Sequence, residues 1–103
     1  MSKAGFGDLP AAYRDPDTAR IAVIPVPYDG TSTWLKGADR GPEAILEASA
    51  HLELYDIETG SEVYRRGILT EEPVAERDSP EAMLGAVEQR VDRQLQAGRF
   101  PVV

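Results

Sequence analysis

The chain has 103 residues, enough for one small domain, and its 42% hydrophobic and 28% charged residues are ordinary for a globular protein. A formal net charge of −7 opposes nonspecific binding to nucleic acid or an anionic membrane, both of which need a basic face, and favours the approach of a small cation. There is no cysteine for a disulfide framework, no apolar run near the roughly 18 residues of a membrane span, and no export signal at the amino terminus, so the expected compartment is the cytoplasm.

Residues 1–19 have no sustained period and are broken by Gly5, Gly7, Pro10 and Pro16; they read as an arm draped on a surface or partly disordered. Residues 21–26, IAVIPV, form an apolar run rich in β-branched side chains, which suits a strand covered on both faces. Pro25 and Pro27 cannot donate to a ladder, so pairing should weaken there, and Asp29-Gly30 supplies a turn. A long loop through Thr31, Trp34 and Lys36 then reaches Gly37 and Gly41. A helix opens with Pro42 at its first position and Glu43 beside the positive end of its dipole. This helix should place Ile45, Leu46, Ser49 and Leu52 on one face, fade around Glu53, and pack on the first strand.

Residues 54–67 alternate only loosely and read as extended or irregular, with a turn at Gly60-Ser61; residues 68–70 read as a short strand, and residues 74–78 as a polar connection. The clearest helix spans residues 80–97. Ser79 caps it, Pro80 and Glu81 suit its first turn, and Gly98 stops it. Met83, Val87, Val91 and Leu95, joined by Leu84, define its expected core face. Residues 100–103 read as a second buried strand, parallel to the first. A parallel sheet needs helices on both faces and further strands, so the chain is expected to be a piece of something longer; the alternative is a complete short edge strand of a small module.

The inventory for catalysis is thin. His51 is the sole histidine and stands near the end of a helix, where a surface or packing role is the simpler one. With one histidine, no cysteine and dispersed aspartates, no metal site and no catalytic residue is assigned. Gly5-Phe6-Gly7 is not a dinucleotide fingerprint, and Lys36-Gly37 is not a phosphate loop, because the flanking elements and spacing are wrong. The strand-loop-helix arrangement of residues 21–46 remains, and in open α/β sheets ligands collect at the carboxyl ends of strands. Tyr28, Asp29, Thr31 and Trp34 are therefore the candidate rim of a pocket, with an entrance-shaping role; Trp34 suits a subunit contact nearly as well.

The run IPVPYDGTSTWLKGADRGPEAILEAS, followed by LELYDIETGSEVYRRG, resembles the amino-terminal portion of the ureohydrolase family, the arginases and agmatinases, and most closely the agmatinase branch. The spacing of Gly37, Gly41, Pro42 and Ile45 is the specific part; Leu46 departs from the arginine that often follows this isoleucine. The resemblance implies an α/β fold, here part of a three-layer αβα arginase-like fold with a central parallel sheet. Residues 20–103 would then be the amino-terminal part of a single ureohydrolase domain. It also implies hydrolysis of a small cationic guanidino substrate, such as agmatine to putrescine and urea, by two Mn²⁺ ions with a bridging hydroxide, in a homo-oligomer (trimer or hexamer). Guanidinobutyrate, formiminoglutamate and aminopropylagmatine are alternative substrates, and a stand-alone acidic α/β binding module is the alternative of another class. The family's ligand motifs, G-G-[DE]-H-S, D-A-H-x-D and S-x-D-x-D, do not occur in these 103 residues, so no manganese is expected to be held by them.

Overall fold

A computed structural model of the chain describes residues 5–31 and 35–103. Three short strands, β1 (Ile21–Val23), β2 (Ile68–Thr70) and β3 (Phe100–Val102), form a parallel sheet in the order β2-β1-β3. Ile21 aligns with Ile68 and Phe100, and Val23 with Thr70 and Val102. The expected run over residues 21–26 is thus a strand only to Val23, because Pro25 has no donor to continue the ladder. Its backbone still follows the sheet for two residues: Ile24 N–H donates to the Val102 carbonyl at 2.8 Å, and the Pro25 carbonyl accepts from Val74 N–H at 3.0 Å. In β3, Phe100 N–H donates to the Arg20 carbonyl and the Val102 carbonyl accepts from Ile24, so the intervening Pro101 turns its donorless nitrogen to the outer edge.

Helix α1 (Gly41–Ser49) follows the 3₁₀ turn Ala38–Arg40, and helix α2 (Pro80–Gln96) is capped by Ser79, whose Oγ accepts from Ala82 N–H at 3.0 Å. Helix α1 stops four residues short of Glu53. The Ser49 hydroxyl donates to the Leu46 carbonyl at 2.6 Å, and the next amides tighten to three-residue bonds, Ala50 to Glu47, His51 to Ala48 and Leu52 to Ser49.

Paired residues of a parallel ladder share a face. Ile21, Val23, Ile68, Thr70, Phe100 and Val102 therefore form one face, and Ala22, Leu69 and Pro101 the other. On the first, Thr70 Oγ1 accepts from Phe6 N–H at 2.9 Å and Ser49 Oγ accepts from Gly7 N–H at 2.8 Å, so the turn Phe6–Asp8 ties the sheet to α1. On the second, Glu71 is bonded by Arg90 and Gln94 of α2. The two helices thus lie on opposite faces, and the architecture is the expected three-layer αβα.

Helix α1 does not close onto β1 as expected. Between them opens an apolar cleft of about 620 Å³, walled by Phe6, Val23, Pro25, Ile45, Leu46 and Val102. On α1 only Leu46 and Ser49 are buried, while Ile45, and Leu52 beyond the helix end, are exposed. The described part of the arm, residues 5–19, lies along the domain. Leu9 and Ala19 are buried, Tyr13 meets Tyr64 edge to face at 5.2 Å, and Arg65 donates to the Tyr13 hydroxyl at 3.0 Å.

The face of α2 also differs from its expected stripe. Gln94 is 5% exposed and Leu95 57%. Each residue advances about 100° round a helix, so a strict four-residue repeat drifts by about 40° per step. Leu95 has drifted about 120° from Met83, whereas Gln94 stands about 20° from it. Gln94 Nε2 donates to Glu71, Gln94 Oε1 accepts from Arg99 Nη1 at 2.9 Å, and Arg90 Nη1 reaches Glu71 at 2.9 Å. Arg99 also donates to the Pro16 carbonyl. A polar chain, not an aliphatic row, seats the carboxyl half of α2. Among the described residues no helix is long and apolar enough to cross a membrane.

Candidate functional site

The order β2-β1-β3 fixes where a ligand crevice can form. From β1 the chain steps outward to β2, then crosses back past β1 to lay down β3, so the direction of winding reverses between β1 and β3. In doubly wound sheets this reversal opens a crevice outside the carboxyl ends of the two strands. The described parts of the β1–α1 connection, residues 24–31 and 35–40, occupy one side of that point.

The connection is pinned from within. Tyr28 N–H donates to the Val26 carbonyl at 3.0 Å, a tight turn that follows from the Pro25 and Pro27 pair. The Tyr28 ring lies half-buried against Gly30, with its hydroxyl at 2.5 Å from where a Cβ on that glycine would sit. Asp29 is the organising residue. Its Oδ2 accepts from Gly37 N–H at 3.0 Å, and its main-chain carbonyl accepts from Lys36 Nζ at 2.9 Å. Gly37 can present its amide this way because it holds φ +130°, a conformation that side chains disfavour. Its carbonyl then accepts from Arg40 N–H at 3.0 Å, which starts the turn leading into α1.

The bond from Gly37 is the main reason the Asp29 carboxyl lies below its ordinary value; partial desolvation opposes it, and attraction to Lys36, a side-chain hydrogen bond with Asp39 and attraction to Arg77 lower it further. Asp29 is therefore an ionised residue already engaged by its own chain. Thr31 is exposed, and Trp34 lies outside the described residues. The apolar cleft is not walled by Tyr28, Asp29 or Thr31, so the structure does not bring the candidate rim residues around that cavity.

Local pattern reading missed Lys36, Gly37 and Arg77 as partners of Asp29; the only trace in the sequence is the glycine itself. His51 is exposed in the turn after α1. The D-x-D spacing Asp15-Pro16-Asp17 is a turn device, with Asp15 Oδ1 accepting from Asp17 N–H at 2.9 Å. Among the described residues no group of three or more His, Cys, Asp or Glu side chains could hold a metal ion. These residues do not fit a binuclear manganese centre.

Comparison with known proteins decides the family, because the family model for the Arginase family matches residues 19–103. The chain belongs to the arginase family. Within it, the chain is 48% identical over 69 residues to N(1)-aminopropylagmatine ureohydrolase of Thermus thermophilus, covering 67% of this chain and 22% of that protein. It is 44% identical over 68 residues to the enzyme of the same name from Synechocystis sp., covering 65% of this chain and 22% of that protein. The crystal structure of agmatine ureohydrolase of Thermoplasma volcanium matches with a TM-score of 0.82 at 24% identity, over 98% of this chain and 33% of that one. That likeness shows the arginase fold. The chain spans about a fifth of the length of the curated relatives it matches.

Proposed function

We propose that the full-length protein hydrolyses a guanidino compound with a linear cationic tail to urea and an amine, and that this chain builds one wall of the entrance to its pocket. The observation that carries the reading is the 48% identity over 69 residues to N(1)-aminopropylagmatine ureohydrolase of Thermus thermophilus. The place of the loop beside the β1/β3 reversal supports it, as does the net charge of −7, which draws a cation toward the protein. In this reading the metal pair supplies a hydroxide at neutral pH when bound. Its ligands belong to sequence outside these residues, which act on the approach and orientation of the substrate and not at the reacting carbon.

Tyr28, Asp29, Thr31 and Trp34 have the role of shaping that entrance. The reading includes a homo-oligomer, trimer or hexamer; the exposed Leu52, Leu54, Tyr55, Ile57 and Val63, clustered in one excursion after α1, support it, and light scattering of the full-length protein checks it. The functional test is urea release by the full-length protein with Mn²⁺, offered aminopropylagmatine, agmatine, guanidinobutyrate and formiminoglutamate. The expected result is the highest kcat/KM for aminopropylagmatine, with agmatine next. Absence of urea from all four would leave a non-catalytic binding module as the reading.

A further inference from the structure

Asp29 is the one carboxylate of the candidate rim, so it is the residue that a cationic substrate would first suggest as a counter-charge. Its surroundings argue otherwise. A counter-charge for a guanidinium needs open lone pairs, ideally both oxygens for a bidentate contact, and no competing cation close by. Asp29 spends Oδ2 on the Gly37 amide, has Lys36 on its carbonyl oxygen, is engaged by the Asp39 side chain, and lies within the field of Arg77. The bond it makes joins two points eight residues apart, one just after β1 and one just before the turn that feeds α1.

We propose that Asp29 is a positioning residue: its carboxylate latches the carboxyl end of β1 to Gly37, which fixes the start of α1 and the shape of the entrance, and it makes no contact with the substrate. The consequence for substrate rests on the ureohydrolase reading; the latch itself rests on the geometry alone. Two neighbours make the latch specific. Gly37 offers its amide only with φ near +130°, and the Gly37 carbonyl passes the constraint on to Arg40.

The experiment compares Asp29→Asn and Asp29→Ala in the full-length protein, reading hydrogen exchange at the Gly37 amide together with KM and kcat for urea release. Asparagine keeps an acceptor oxygen and loses the charge, whereas alanine loses both. Asp29→Ala is expected to speed Gly37 exchange by about tenfold or more, the size that goes with loss of a hydrogen bond to a charged acceptor, and to lower kcat as well as raise KM. Asp29→Asn is expected to speed exchange by only a few fold and to rescue most of the turnover and of the KM. Two results overturn the proposal: unchanged Gly37 exchange in Asp29→Ala, or a tenfold rise in KM in Asp29→Asn with Gly37 exchange at its original rate. The second would make Asp29 a charge contact for the substrate. Should the unaltered protein release no urea, the functional reading fails, and the exchange measurement still decides the latch.

Discussion

Two neighbouring residues of α2 separate the structural account of that helix from the one its spacing suggests. Gln94 is 5% exposed and bonded to two charged groups, Glu71 through Nε2 and Arg99 through Oε1; Leu95 is 57% exposed. Replacing Gln94 with alanine removes both bonds and leaves a carboxylate oxygen and a guanidinium nitrogen each short of a partner. Hydrogen bonds to charged groups contribute roughly 1.5–3 kcal/mol each. Glu71 keeps Arg90 and Arg99 keeps the Pro16 carbonyl, so a total of about 2–3 kcal/mol is expected for Gln94→Ala, below the sum of two such bonds. For a chain of this length that is a fall in Tm of roughly 8–24 °C. Leu95→Ala removes a side chain that is less than half buried, and full burial of leucine contributes about 1.5–3 kcal/mol, so its cost should be about 1 kcal/mol or less. The four-residue stripe implies the reverse order: about 2–5 kcal/mol for the leucine and about 0.5 kcal/mol or less for a surface glutamine. Urea unfolding of both variants, with midpoints and slopes fitted separately, tests the order. If Leu95→Ala is the more damaging, the polar seating of α2 is wrong.

The other expectations follow from single contacts. Ser49→Ala leaves the buried Gly7 N–H without its acceptor and should cost about 1–3 kcal/mol, read from thermal melting; an unchanged Tm would mean that the arm is not held there. Gly67→Ala places a Cβ 2.7 Å from the Ala19 Cα at φ +88°, so a loss of about 3 kcal/mol or more is expected in urea unfolding, and a loss below about 1 kcal/mol would contradict the geometry. The Asp29 carboxyl is depressed in the folded state, so the stability it adds is present above the unfolded value near pH 4 and is lost as pH falls through the folded value. Melting between about pH 2 and 7 should therefore show the difference from Asp29→Ala shrinking at the acid end, and a constant difference would refute the assignment. Phe100 is 69% exposed on the outer strand, and Phe100→Lys should reduce light scattering of the 103-residue chain with a stability change within about 0.5 kcal/mol.

Much of the secondary structure is legible because it is set locally. The Ser79-Pro80 start and Gly98 stop of α2, the apolar runs of β1, β2 and β3, and the prolines that end β1 each act within a few residues of themselves. What escaped pattern reading depends on partners far along the chain. The end of α1 is shaped by a serine that serves Gly7, 42 residues away, and the seating of the arm by a threonine 64 residues from Phe6. Gln94 is buried because Glu71 and Arg99 need it, and no period of three or four residues carries that information. The candidate site divides in the same way. Its place in the chain is marked by Asp29-Gly30 and the flanking prolines, whereas the engagement of Asp29 by Gly37 requires the fold.

The topology also separates the candidate entrance from the apolar cleft. Crossovers between parallel strands are right-handed, so a step from β1 outward to β2 and a return past β1 to β3 must carry their helices over opposite faces. That is where α1 and α2 lie, and the reversal directs a ligand crevice to the carboxyl ends of β1 and β3. The cleft of about 620 Å³ lies instead on the α1 face, walled by aliphatic, proline and phenylalanine side chains. A guanidinium moved into such surroundings would lose its water without gaining a hydrogen-bonding or charged partner, a cost of several kcal/mol. The polar connection after β1 offers amides, carbonyls and charges. Under the proposed function, recognition of a cationic substrate is therefore expected beside that connection and not in the apolar cleft.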